Sequence, residues 1–528
     1  MLKILFVHPN IDLPGYKLVG VSILSALAKA SGHVTELFDA SFIETKHLSK
    51  VKYWEDKNTT LARNLVLKEA PSLIPSHKKE NVDLEQVFTA KLAEFKPDVI
   101  GISTLSTEWG IAQLLLRSAK SFDESIFTVV GGRHCVADPE GTIAHPSVDA
   151  VCIGEGEVPF MRLLDALDSG KMEYSIPGMW IKRPEGMVEK TPLPPYLMNH
   201  ELDALPWLDN EIYDDGQFDR LFFGKVYRSL DFNLMRGCTE FCNYCQMAKV
   251  YELHGGDRTV RRYAPLRAVE EMAWQKDAWD LDFIRFHDES FLIISNIYLA
   301  ALAKAYRQQV DLPFVADASP LTVTPERARM IREMGCVSMS LGFESGNEAF
   351  RRGDLNKNVT DERALKSFHA LADVGIRSVS FNMIGFPHET RDVIFDSIEF
   401  MREARVHSPS INFVYPFKGT ELRNQAISAG LFDPDIEEDG VAQWTVGRPF
   451  IRNPKISLEE YQSVFSTFLL YCKLPKRYWN DLKIAERSDS KGERMLEKLT
   501  TIYNEDYTDV SCGSDERSRY VPGIAYAD

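Results

Sequence analysis

The sequence predicts an α/β chain in three parts: an N-terminal Rossmann- or flavodoxin-like domain, a partial (β/α)6 barrel, and a mainly helical C-terminal region. Two observations carry this. Short apolar runs suited to parallel strands buried on both faces alternate with helical stretches over residues 2–165, and do so again over 226–425. Beyond these, apolar residues recur at helical spacing. At 528 residues the chain has room for several domains, at roughly 100–200 residues each, and its 44% hydrophobic content supplies their cores.

The first region opens on KILFV (residues 3–7), a continuous apolar strand, followed by a turn-rich loop at 9–15 and a helix near 21–30. The unit recurs with strands at 34–39, 99–103, 128–131 and 148–153 and helices near 109–121 and 159–169. Such a sheet binds its ligand at the carboxyl ends of the strands. The loops there, 8–20, 103–109, 131–138 and 154–157, are rich in glycine and hydroxyl residues. Residues 44–94 read as a helical insertion. The expected boundaries are 1–170 for this domain, 171–225 for a proline-broken linker with a short β pattern at 178–182, 226–425 for the barrel, and 426–528 for the helical region.

A net charge of −16 and a pI near 5.4 exclude a bulk nucleic-acid binder, which needs a basic face. No apolar run reaches the ~18 residues of a membrane span, and MLKILFVHPN runs from strand to turn with no signal-peptide pattern. The expected compartment is the cytoplasm. Cys135, Cys152, Cys336, Cys472 and Cys512 are scattered singly, as reduced thiols are.

The other three cysteines, Cys238, Cys242 and Cys245, crowd into RGCTEFCNYC (236–245). Three thiolates on one loop suit a soft metal centre. Structural zinc takes four protein ligands and an ordinary ferredoxin cluster four cysteines, whereas C-x3-C-x2-C leaves one iron of a 4Fe–4S cluster open. A zinc knuckle and three unrelated thiols are the bland alternatives. With Tyr244 before the last cysteine, the stretch resembles the signature of the radical S-adenosylmethionine (SAM) superfamily. HDESF (287–291), LGFESG (341–346), MIGFPHET (383–390) and YPFKGT (415–420) resemble that family in order, one at each of four strand ends.

The resemblance implies that SAM chelates the open iron and is cleaved reductively to a 5′-deoxyadenosyl radical. It implies contacts from Glu344 and Ser345 to the ribose hydroxyls or ammonium, and from Tyr244, Gly385 and Pro416 around the adenine. Arg262 is expected at the SAM carboxylate. Asp288 or Glu289 is a further contact, standing where the family carries Gly-Gly-Glu.

VVGGRH (129–134) and DAVCIGEGE (149–157) resemble the cobalamin-binding domain that precedes many radical SAM domains. The implied cobalamin residues are Ser103, Thr104, Trp109, Gly131, Gly132, His134, Gly154, Glu155 and Gly156. The Asp-x-His-x-x-Gly box is absent, so no histidine on cobalt is expected. The implied cofactors are a 4Fe–4S cluster, SAM and cobalamin; the implied partners are a small-molecule substrate and an electron donor such as flavodoxin or ferredoxin. The expected reaction is methylation of an unactivated carbon. Radical cyclisation or rearrangement without methyl transfer, as in the porphyrin-ring cyclase branch, is the alternative, and a corrin sensor with a structural cluster a third. Tyr461, Phe465, Phe468 and Tyr471 fit a helix packed on the barrel, or more sharply a substrate lid with Tyr478 and Trp479.

Overall fold

Strand β1 (Lys3–His8) is sealed on both faces: Ile4, Leu5 and Val7 are wholly buried and Phe6 nearly so. It is flanked by β2 (Val34–Asp39) and β3 (Val99–Ser103), and the sheet continues through β4 (Phe127–Gly131) and β5 (Ala150–Cys152). The parallel order β2-β1-β3-β4-β5 is the flavodoxin-like winding. Helices Val19–Ala30 and Glu157–Asp168 bury Val21, Ala28, Phe160 and Leu163 on one face, and helices Leu84–Phe95 and Trp109–Phe122 bury Phe88, Leu92 and Leu115 on the other. In this computed structural model the described residues are 1–10, 16–43, 80–223, 225–435 and 448–507. Most of the predicted insertion, part of the 8–20 loop and the tail beyond 507 lie outside them. The end of the insertion supplies the helix Leu84–Phe95, capped by Asp83, whose carboxylate accepts the N–H groups of Glu85 and Gln86.

The segment expected as a linker does more than connect. β6 (Met179–Lys182) and β7 (Val188–Lys190) form a hairpin that extends the first sheet antiparallel to β5.

The second sheet comprises β8 (Asp219–Phe222), β9 (Lys225–Phe232), β12 (Phe283–Phe286), β13 (Phe314–Ala318), β14 (Cys336–Glu344), β15 (Arg377–Ile384) and β16 (Ser408–Phe413), in the order β16-β15-β14-β13-β12-β9-β8. Strands β9 to β16 in this sheet are parallel, and β8 caps one edge antiparallel. The short pair β10 (Met235–Arg236) and β11 (Arg261–Arg262) stands apart from it. Alternation along each strand sends Ile284, Phe286, Ala316, Met339 and Leu341 outward to the helices, and Tyr227, Phe283, Val315 and Val337 into a small inner cluster. Arg285, His287 and Asp317 follow on that inner side. The helix starts are written in the sequence: Ser295, Thr324, Thr360, Thr390 and Thr420 each accept a backbone N–H of the first turn, a cap worth about 1 kcal/mol each.

Helix Leu458–Lys473 packs on the barrel, with Phe465 stacked on Phe413 of β16 at 5.0 Å. Trp479 lies against Phe395 and Tyr471, and Tyr478 against Tyr507. These residues join the outer helical layer, so the predicted lid pair does not line the mouth.

The turn after β14 is held by a close approach. A Cβ at Gly346 would land on the backbone of Asp396 and Ser397, whereas one at Gly353 meets open space. Gly346→Ala is expected to destabilise the chain by about 3 kcal/mol or more, since the backbone must shift. Gly353→Ala, inside a helix, should remain within about 1 kcal/mol of the parent. Urea unfolding of the two variants checks the contrast.

Candidate active site at the domain interface

The cysteine loop leaves β9 through β10, which pairs antiparallel with β11 and so closes residues 237–260 into one excursion. Asp288 holds its stem: the buried carboxylate accepts the Met235 N–H at 2.6 Å, and burial pushes its pKa well above the usual range. The expected contact of Asp288 with SAM is therefore corrected, because this side chain faces loop backbone. At the start of the loop the Tyr251 hydroxyl accepts the Cys238 N–H at 2.8 Å and donates to the Cys238 carbonyl at 2.7 Å. Gly237 takes φ +104 beside the Thr259 carbonyl.

Cys242 is buried, and Cys238 and Cys245 are half-buried. Burial raises all three thiols, that of Cys242 to about 12, while Lys357 pulls in the opposite direction. The buried Lys357 ammonium stands 2.7 Å from the Glu240 carboxylate and 3.9 Å from the Cys242 sulfur. Among the described residues no three ligand side chains converge on one metal-ion position.

Opposite the loop, the carboxyl ends of β1, β3, β4 and β5 open into a cavity of about 320 Å³. Gly101, Ser103, Gly131, Gly132, Gly154, Glu155 and Gly156 line one side, and Asn233, Met235, Arg236 and Glu289 the other. Gly132 has φ +95, and a Cβ there would come within 2.6 Å of the Thr104 carbonyl. A cradle of this size and glycine content fits the slender nucleotide tail of a cobalamin. Thr104, Trp109 and His134 are not among its walls. They form a buried support: the Thr104 carbonyl accepts the His134 N–H at 3.2 Å, and the Trp109 and His134 rings stack at 4.6 Å. Burial lowers His134 to about 4. The exposed apolar residue of the 103–109 loop is Leu105, which the sequence did not single out.

The two domains are joined by charge. Arg236, two residues before Cys238, bonds Glu157 at 2.5 Å and lies 3.4 Å from Glu155; Arg261 bonds Glu155 at 2.7 Å. Arg133 pairs with Glu289 at 2.9 Å, and Lys418 with Asp138 at 2.6 Å. Glu155 is thus a partner of arginines as well as a cavity wall. Arg262, expected at SAM, instead lies over the Tyr298 ring at 5.0 Å, and its N–H donates to Asn199.

On the far side of the barrel mouth, Glu344 ends β14 with φ +74, a conformation costly for a residue with a Cβ and concentrated at functional sites. Burial pushes its carboxyl to about 7, against the pull of Lys357. The Tyr244 hydroxyl sits beside Glu344 and Cys242, and its ring meets Phe386 edge-on at 6.5 Å. Ser345 is committed to the turn: its carbonyl accepts from the buried Arg351 at 2.6 Å, and its hydroxyl accepts the Asn347 N–H. Gly385 has φ +93 and donates to the Glu389 carboxylate at 2.7 Å, which also accepts the Tyr461 hydroxyl at 3.1 Å. Pro416 is buried, its carbonyl bonded to Arg423. Glu344, Tyr244 and Lys357 thus gather beside the cysteine loop, and Gly385 stands one residue from Phe386.

A glycine-cradled cavity on a flavodoxin-like sheet, facing a three-cysteine loop at the mouth of a half barrel, defines a two-cofactor protein. Residues 78–164 match the B12 binding domain and 232–401 the Radical SAM superfamily. The chain thus carries a B12-binding domain followed by a radical SAM domain, the layout of cobalamin-dependent radical SAM proteins, and with it the sites for a 4Fe–4S cluster, SAM and cobalamin. It is 27% identical over 341 residues to an uncharacterised methyltransferase of Pyrococcus horikoshii, covering 64% of this chain and 72% of that protein. It is 22% identical over 422 residues to the anaerobic magnesium-protoporphyrin IX monomethyl ester cyclase of Rubrivivax gelatinosus, covering 76% and 66%. Its fold resembles that of OxsB, a cobalamin-dependent SAM radical enzyme solved with aqua-cobalamin and SAM, with TM-score 0.65 and 14% identity over 96% of this chain and 72% of that one. No helix among the described residues is long and apolar enough to cross a membrane.

Glu157→Ala leaves the half-buried Arg236 with Glu155 alone, and should cost about 1–3 kcal/mol in urea unfolding. Glu389 gives a pH signature. Folding raises its carboxyl from 4.5 to about 8, chiefly by burial. Between those values the native state holds a proton that the unfolded chain has released, so this contribution to stability falls as pH rises. Glu389→Gln should flatten that decline in thermal melts between pH 5 and pH 8.

Proposed function

We propose that the chain methylates an unactivated carbon of a small-molecule substrate in the cytoplasm, with electrons from a flavodoxin- or ferredoxin-like donor. One observation carries the reading: the glycine loops of one domain and the stem of the cysteine loop of the other line the same cavity, so two cofactors meet at one substrate. When bound, the cluster and SAM supply a hydrogen-abstracting radical, and the corrin supplies a transferable methyl group. The chain's residues bind and orient. Cys238, Cys242 and Cys245 hold the cluster. Glu344 accepts hydrogen bonds from the ribose hydroxyls or ammonium of SAM, with Tyr244 and the chain at Gly385 beside the adenine. Ser103, Gly131, Gly132, Gly154 and Gly156 admit the cobalamin tail.

The inner face of the half barrel suggests the substrate's character. His287 donates its Nε2–H to the buried Asp231 carboxylate at 2.5 Å, and Arg285 pairs with Asp317 at 2.5 Å. Across the sheet, Phe381 of β15 is 37% exposed. The substrate in this reading has a hydrogen-bonding group on one side and an apolar body on the other.

Radical cyclisation without methyl transfer is the second reading, favoured by the likeness to the cyclase. Product analysis separates them. Anaerobically reconstituted protein with SAM, dithionite and substrate-bearing extracts is expected to yield S-adenosylhomocysteine together with 5′-deoxyadenosine; 5′-deoxyadenosine alone supports cyclisation, and neither product refutes both. Alanine at Cys238, Cys242 or Cys245 should bring iron, sulfide and SAM cleavage to background, while Cys336→Ala, in the barrel core, leaves them at parent levels.

A further inference from the structure

Arg133, on the glycine-pair loop, reaches across to the cysteine loop. It follows Gly132, whose φ of +95 and contact with Thr104 fix the direction in which the chain leaves the cavity. Its guanidinium donates to the Glu289 carboxylate at 2.9 Å and to the sulfur of Met247 at 2.9 Å, two residues after Cys245. Glu289 follows Asp288, which holds the loop's stem. The two members of the pair come from different domains, and Arg133 is 41% exposed while Glu289 is 23% exposed. A further charged pair at the loop, Lys357 with Glu240, lies wholly within the barrel domain and beside Cys242.

We propose that the Arg133–Glu289 ion pair, made across the domain interface, sets the reduction potential of the cluster held by the cysteine loop. The proposal rests on the reading that Cys238, Cys242 and Cys245 hold that cluster. Reduction adds one electron, supplied in the test by dithionite. A neighbouring cation favours the reduced form and an anion opposes it, net charge and solvent exposure being what tune such potentials. Because Arg133 is carried by the cobalamin-side loop, its charge stands beside the cluster only when the two domains are seated together. The potential is thus tied to the seating that also forms the cavity. Partial exposure screens the effect, so the shift is smaller than a buried pair would give.

The experiment is a redox titration, followed by electron paramagnetic resonance, of the anaerobically reconstituted holoenzyme, with iron and sulfide quantified in each sample first. Arg133→Met is expected to move the midpoint to a more negative value and Glu289→Gln to a more positive one. Arg133→Lys should stay at the parent value, and the Arg133→Met, Glu289→Gln double variant should return toward it. Unmoved midpoints, or shifts of the same sign in both single variants as simple loosening of the interface would give, overturn the proposal. If Arg133→Met does not assemble a cluster, the opposed outcomes for Glu289→Gln and Arg133→Lys decide it. A parent protein without iron and sulfide would overturn both this inference and the cluster reading, whereas a normal cluster with unmoved midpoints overturns only this inference.

Discussion

The seating of Arg236 between Glu157 and Glu155 is the constraint on which the site depends. The residue belongs to the stem of the cysteine loop, yet its partners belong to the other domain, so the loop is placed partly by a sheet to which it is not covalently close. Two arginines, Arg236 and Arg261, meet two glutamates, and the group is electrically balanced. Such a cluster contributes little net stability over an apolar core of the same shape, because desolvating the charges is costly. What it contributes is register: any sliding of one domain on the other separates partly buried charges from their partners.

A second crossing reinforces the first. Lys17, from the loop between β1 and helix Val19–Ala30, inserts fully buried into the base of the barrel, donating to the carbonyl of Ser229 at 2.9 Å and that of Gln217 at 3.2 Å, and standing 3.3 Å from Asp231. Burial draws its pKa down to about 8. Asp231 in turn orients His287 on the inner face. The cavity's geometry and the orientation of the inner-face imidazole of His287 are therefore both set by contacts between the domains.

Much of this architecture was legible in the sequence because its causes are local. The apolar run from Lys3, the Ser and Thr caps before five of the barrel helices, and the glycines at 131, 132 and 385 act through their own neighbours, so periodicity and residue type reveal them. Pairings between distant segments left no such trace. Arg261 and Arg262 look alike in VRRY, but they alternate sides of β11, and the former faces Glu155 while the latter covers Tyr298. Asp288 carries the chemistry of a ligand residue, yet its strand position turns it onto loop backbone. Trp109 and His134, polar or aromatic beside a glycine-rich loop, prove to be its buried support. Leu105, Arg133 and Glu157 were visible only as letters within recognised strings, since nothing in one dimension says which member of a string points across an interface.

The attachment of helix Leu458–Lys473 has a bearing on how this barrel can be divided. Arg402, buried on helix Arg391–Glu403, donates to the carbonyls of Tyr471, Cys472 and Leu474 at the end of Leu458–Lys473, and Phe413 of the terminal strand stacks on Phe465. Excision of the cofactor-binding core at the limits of its motifs would strip a guanidinium of three acceptors and wet an aromatic face at once. The C-terminal region is thus the missing wall of an open barrel, and any transplantation of the catalytic unit onto another chain has to carry it along.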